Sequence, residues 1–239
     1  MDRLRFGLIG CGRIAHSHAV ALGNNSGAAV LAAVCDIDAG RAGELAESYC
    51  GIPQAGGGAG EAGGAGHASA SGAAGAHGPA QALDQTVRRQ GPAGALAQAG
   101  ACRPAVFADR REMLRQTELD AVAICTESGS HAEIAVDCLE RGLHVLVEKP
   151  LALSMADADR MIGLAARKGL RLGVCHQNRF NPAIQKLRRA VDDGRFGRIV
   201  NGTARILWNR NMEYYSQAPW RGTWKHDGGT LMNQCIHNI

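Results

Sequence analysis

The chain has 239 residues, 46% of them apolar, with 26 basic and 22 acidic side chains and a net charge of +4. That is enough apolar material to bury a core. The scattered basic residues give no support to nucleic-acid binding, and no apolar run of about 18 residues predicts a membrane span.

Met1–Phe6 leads directly into a strand-like run, so no secretory signal is expected there. The eight cysteines include no C-x-x-C pair, and several lie in apolar runs. Reduced, buried thiols in a cytoplasmic protein are the simplest expectation. Leu4–Ile9 predicts a buried strand, Arg13–Asn24 a helix, Ala29–Cys35 a second strand and Ala39–Tyr49 a second helix. From 54 to 104 the periodicity stops and Gly, Ala, Ser and Gln dominate. Of the 32 glycines, 11 fall between Gly51 and Ala82, so the glycine excess is local. This stretch reads as a disordered insertion.

The rhythm resumes with a short strand at Ala105–Phe107 and a helix capped by Asp109 that runs to Gln116. Ala121–Cys125 is a further strand. Ser130-x-x-Glu133 predicts a capping box opening a helix to Arg141, with Gly142 as its stop. His144–Val147 is the next strand, Ser154-x-x-Asp157 caps a helix to Lys168, and Arg171–Cys175 is a sixth strand. Strands alternating with helices at these spacings predict an α/β fold with a doubly wound parallel sheet. After Pro182 the texture changes. A helix is expected from about Ala183 to Asp192, and Ile199–Trp208 alternates like a half-exposed antiparallel strand. A boundary is expected near Lys149–Leu151. Residues 1–150 form a first domain and 151–239 begin an α+β second domain with an open antiparallel sheet. Residues 154–175 are expected to pack back onto the first.

Gly10-Cys-Gly12-Arg13-Ile14-Ala15 is a G-x-G-x-x-A pattern between a strand and a helix. Gly10 permits the tight turn, Gly12 lets a pyrophosphate approach the backbone, and Ala15 permits close helix–strand packing. Asp36 ends the second strand, where a carboxylate meets adenine-ribose hydroxyls. It favours NAD over NADP because it repels a 2′-phosphate. The pattern predicts a Rossmann cofactor site. Glu148-Lys149-Pro150 ends the fifth strand and faces the ligand crevice. Beside a cationic nicotinamide, the pKa of Lys149 is expected to fall, which suits proton transfer; the alternative is a solvated loop lysine. His237 lies four residues after Asn233, on one helical face if a helix forms there. Its imidazole could take a hydroxyl proton; the alternative is a capping or core histidine. Tyr214-Tyr215 and Trp220–Trp224 offer stacking rings and cations for a sugar, base, phosphate or carboxylate, or else an interface patch. Asn178-Arg179-Phe180 points at the same crevice. His16 and His18 read as helix-surface or cofactor-rim residues, and no metal cluster is expected.

Together these segments resemble the Gfo/Idh/MocA oxidoreductase family. The residues carrying the resemblance are Gly10–Ala15, Asp36, Cys125-Thr126, His131, Glu148-Lys149-Pro150, Asn178–Pro182 and Gly228–His237. Within the family, 176–197, Trp208–Arg210, Tyr214-Tyr215, Trp220–Trp224 and Asn233–His237 resemble the UDP-N-acetylglucosaminuronate 3-dehydrogenase branch of O-antigen synthesis. The resemblance implies NAD held by Gly10, Gly12, Arg13, Ile14, Asp36, Thr126, His131, Glu148 and Lys149. It implies proton transfer by Lys149 and His237, and substrate contacts from Asn178, Arg179, Tyr215, Trp220, Arg221, Thr223 and Asn233. It also implies a UDP-sugar substrate, reoxidation by 2-oxoglutarate in some relatives, and a homo-oligomer. Three departures stand out. Glu127 replaces a family proline, 54–104 has no family counterpart, and the family continues past 239 with an Asp and the rest of the substrate domain. Two alternatives follow: an inactive NAD-binding remnant, or a family dehydrogenase acting on UDP-N-acetylglucosamine or another sugar.

Overall fold

The computed structural model describes residues 2–53 and 103–238. The expected disordered insertion therefore lies almost wholly outside the described residues. Six strands form one parallel sheet: β1 Leu4–Ile9, β2 Ala29–Cys35, β3 Ala105–Phe107, β4 Ala121–Ile124, β5 His144–Glu148 and β6 Leu172–Cys175. Their order is β3-β2-β1-β4-β5-β6, with every neighbouring pair parallel. Helices α1 Arg13–Asn24, α2 Ala39–Cys50, α3 Arg110–Gln116, α4 His131–Glu140 and α5 Met155–Lys168 connect them.

Burial on both faces explains the uninterrupted apolar strands. All four residues of β4 are buried. One apolar cluster joins Leu8, Leu31, Leu45 and Tyr49 beneath α1 and α2. The other joins Ile124, Leu139, Val147 and Met161 beneath α4 and α5. At the amino edge, the Asp120 carboxylate accepts from the Arg5 backbone N–H at 2.8 Å and from its guanidinium at 3.1 Å, which ties β1 to β4. Chain order reverses between β1 and β4, so the carboxyl ends of these strands open on a crevice.

Three local expectations are corrected. Ser130 does not cap α4: a 3-10 turn at Ser128–Ser130 precedes the helix, and the Ser130 hydroxyl donates to Thr126 Oγ1 instead (2.8 Å). Ile199–Trp208 forms no strand. Alternating residues make a strand only against a partner edge, and none of the described residues supplies one; the second antiparallel sheet is likewise absent among them. After α6 Pro182–Asp192 and α7 Met212–Ser216, helix α8 covers only Gly229–Asn233, and a 3-10 turn covers Cys235–Asn238. Asn233 and His237 thus do not share one continuous helix.

Candidate cofactor and substrate site

The loop after β1 is built by close approach. Gly10 has φ +90°, and a Cβ there would lie 2.7 Å from the Cys125 carbonyl carbon and the Thr126 nitrogen. Only glycine fits this turn. Gly12 caps α1 with extended backbone, and a Cβ on it would meet nothing within 4 Å. The first turn of α1 has no side-chain cap and no acidic residue. Its free N–H groups and the helix dipole therefore face open space, a fit for the pyrophosphate of a dinucleotide. Ala15 is fully buried against the sheet, while Arg13 and Ile14 are exposed at the helix entrance. Asp36 is buried and accepts from the backbone N–H of Cys11 (2.7 Å) and of Asp38 (2.9 Å). A carboxylate has about four acceptor positions, so two stay open for ribose hydroxyls.

At the end of β4, His131 is 1% exposed. Its Nδ1 lies 2.8 Å from the Pro150 carbonyl oxygen and its Nε2 3.1 Å from that of Thr126. Burial pushes its pKa down, against those two carbonyls and the charges of Glu127 and Glu148. His131 thereby fixes the ends of β4 and β5 relative to each other. Glu127 lies 4.0 Å from His226 Nδ1. The Gly129 N–H donates to the His226 carbonyl oxygen (3.0 Å), and a Cβ on Gly129 would collide with Lys225. Segment 225–226 is seated on this glycine.

Lys149, at the end of β5, is the centre of the arrangement. Its Nζ donates to the Asn233 backbone oxygen at 2.6 Å and to Asn233 Oδ1 at 3.3 Å. Burial pushes its pKa down, Glu148 and Asp227 pull it up, and Arg221 lowers it further; the net direction is down. Asp227 is 3% exposed. It accepts from the Gly222 N–H at 2.7 Å and from the Asn233 side-chain amide. Sequence reasoning missed Asp227. The available signal was that it is the sole acidic residue between Trp220 and Gly229. His237 lies in the same region, and its pKa is lowered by burial and then by the charge of Lys149. Its Nδ1 is buried without a hydrogen-bond partner among the described residues.

A cavity of about 400 Å³ adjoins Asn233 and is lined by Tyr214, Tyr215, Arg221, Asp227 and Thr230, among others. The Arg221 guanidinium lies 4.3 Å from the Tyr214 ring centre and 4.6 Å from that of Trp220. Its Nε is buried and has no hydrogen-bond partner among the described residues. Trp220 is thus engaged by Arg221. Thr223 is used within its own turn, donating to the Trp220 oxygen at 2.7 Å. Asn178 reaches only Asn238, at 3.4 Å, and Arg179 is exposed. Of the expected substrate residues, Tyr215, Arg221 and Asn233 meet at the cavity; Asn178, Arg179, Trp220 and Thr223 do not line it.

His18 on α1 is not a plain surface residue. Its Nε2 lies 2.9 Å from Glu148 Oε1, and Cys175 Sγ is close to both. These three side chains come from positions too far apart in sequence for spacing to bring them together on paper.

The NAD-binding Rossmann model of the GFO_IDH_MocA oxidoreductase family matches residues 58–176, and the GFO/IDH/MocA C-terminal-domain model matches 184–239. The chain belongs to the Gfo/Idh/MocA oxidoreductase family. The first match begins at residue 58, within the Gly/Ala-rich stretch. The WlbA dehydrogenase from Bordetella pertussis, solved in complex with NADH and UDP-GlcNAcA, superposes with a TM-score of 0.73 at 31% identity over 99% of this chain and 57% of that one. Myo-inositol 2-dehydrogenase of Thermotoga maritima is 34% identical over 56% of this chain and 38% of its own length. UDP-N-acetylglucosamine 3-dehydrogenase of Acidithiobacillus ferrooxidans is 42% identical over 30% of this chain and 23% of its own. The matches thus span less than two thirds of each of these relatives. As a family member, the chain carries an NAD-binding Rossmann domain of the oxidoreductase type.

Proposed function

We propose that this chain carries the cofactor site and part of the substrate site of a dehydrogenase that oxidises C3 of UDP-N-acetylglucosaminuronate, in cytoplasmic synthesis of a surface polysaccharide precursor. The observation carrying this reading is Arg221, whose guanidinium lines a cavity next to Asn233, the residue that holds Lys149, and whose Nε has no hydrogen-bond partner among the described residues. An unpaired buried donor is costly. A phosphate or carboxylate in the cavity would pair with the guanidinium, and a nucleotide-sugar uronate carries both. The WlbA complex with UDP-GlcNAcA supports the same substrate class.

Lys149 takes the C3 hydroxyl proton in this reading. As a neutral amine it has two N–H donors and one lone pair. The two oxygens of Asn233 occupy the donors and leave the lone pair for the hydroxyl. His237 offers its unpartnered Nδ1 as second proton carrier or relay. Gly10, Gly12 and Asp36 orient the cofactor, Arg13, Ile14 and Thr126 line its path, and His131 holds the strand ends that present Glu148 and Lys149. When bound, NAD would supply the carbon that accepts the C3 hydride, while Lys149 holds the hydroxyl proton. Residues 1–150 then form the cofactor domain and 151–239 contribute substrate contacts. A homo-oligomer and 2-oxoglutarate as reoxidant complete the proposal.

A second reading, oxidation of a neutral polyol, rests on the inositol dehydrogenase likeness but leaves Arg221 without a partner. The test is to incubate the chain with NAD and, separately, UDP-N-acetylglucosaminuronate, UDP-N-acetylglucosamine or myo-inositol. Formation of NADH and a 3-keto sugar from the uronate is expected. Turnover of inositol alone selects the second reading. NAD binding by calorimetry with no product from any substrate refutes both.

A further inference from the structure

Three side chains from three separate elements converge beside Glu148. His18 comes from α1, Glu148 ends β5 and Cys175 ends β6. His18 Nε2 and Glu148 Oε1 are 2.9 Å apart, and with Cys175 Sγ the ligand atoms all lie within 4.8 Å of one another. The side chains of His18 and Glu148 are only 12% and 11% exposed. Cys175 is a free thiol.

One imidazole, one carboxylate and one thiol make a donor set suited to a borderline-soft divalent ion. Zinc bonds of about 2.0–2.3 Å in a tetrahedron place neighbouring ligand atoms roughly 3.3–3.8 Å apart. The three ligand atoms, all within 4.8 Å of one another, lie close enough for one ion to reach them all. A thiolate and a carboxylate together neutralise a doubly charged ion.

We propose that His18, Glu148 and Cys175 form a binding site for a thiophilic divalent cation of the zinc class, and that its occupation opposes cofactor binding. The second half rests on the reading above that Glu148 faces the cofactor. Burial, then the charge of Glu148, holds the Cys175 thiol protonated, its pKa raised to about 12. The entering ion therefore displaces that proton, with the sulfur lone pair forming the metal bond and the proton passing to water. No oxidant or reductant is involved. A bound ion would detach His18 from its hydrogen bond with Glu148 and lock α1 to the ends of β5 and β6.

The test is anaerobic titration of the full chain with Co²⁺ in a thiol-free reductant, read by absorption. One equivalent should produce a near-ultraviolet thiolate-to-cobalt charge-transfer band and intense tetrahedral visible bands, and Zn²⁺ should abolish both. Cys175→Ser should remove the charge-transfer band. His18→Gln should weaken cobalt binding by at least about tenfold, on the scale of a lost metal partner. Calorimetry with NAD verifies that Cys175→Ser stays folded. Saturating NAD should raise the apparent Kd for cobalt at least about tenfold. Absence of the band, or its survival in Cys175→Ser, overturns the site. An unchanged cobalt Kd in the presence of bound NAD overturns the opposition. None of these readouts needs turnover, so failure of the dehydrogenase reading is seen separately, in the product assay.

Discussion

Lys149 and Asn233 form a two-point contact: the Lys149 nitrogen donates to the Asn233 backbone oxygen at 2.6 Å and to its side-chain oxygen at 3.3 Å. An amine so held is pre-positioned for one hydroxyl. Lys149→Met should lower turnover by about 10²–10⁴-fold, the range for a lost proton-transfer group, with NAD affinity largely retained. Rates of NADH formation alongside NAD calorimetry check this; undiminished turnover would remove Lys149 from the chemistry.

Asp227 holds the holder. Asp227→Ala leaves the Gly222 N–H and the Asn233 amide without their acceptor. Such a loss at a buried site costs about 1–3 kcal/mol. Urea unfolding should show the decrease, with a lower kcat at nearly unchanged NAD affinity.

Arg221 is expected to read the anionic part of the substrate. Arg221→Lys keeps the charge but loses the planar fork and its stacking between Tyr214 and Trp220. KM for the UDP-sugar should rise about tenfold or more while NAD binding stays constant. An unchanged KM would place the substrate anion elsewhere.

Asp36 does two jobs, ordering the cofactor loop through Cys11 and offering free lone pairs. Asp36→Ala removes charged hydrogen bonds, each contributing about 1.5–3 kcal/mol. NAD affinity by calorimetry should fall by at least about tenfold.

His131 makes stability depend on pH. Unfolded, a histidine titrates near about 6.5; folded, burial places His131 lower. Between these values the unfolded chain binds the extra proton. Its contribution to stability is therefore full above about pH 6.5 and is lost as pH falls through the folded value. His176 and His237 shift in the same direction. Urea unfolding of the wild type at about pH 7.5 and about pH 5.5 should show a larger loss than His131→Gln shows over the same interval.

Much of the Rossmann half was legible because its signals are local. Buried parallel strands such as Ala121–Ile124 write unbroken apolar runs, and Asp38, Asp109 and Ser154 each cap a helix from its first turn. Gly10 and Asp36 were readable for the same reason. Ser130 misled because its hydroxyl had a nearer partner in Thr126. Ile199–Trp208 misled because alternation describes a face and not a partner. Asp227 and the His18–Glu148–Cys175 group were hidden because their contacts join distant positions, which no local pattern encodes.

The acceptor for the Lys149 amine lies 84 residues further along the chain. A chain emerging from the ribosome exposes Gly10, Asp36 and Lys149 well before Asn233, and domains generally fold in that order. The contact that holds the Lys149 amine is therefore among the later ones the chain can form, after the glycine loop and Asp36 are already available to pair.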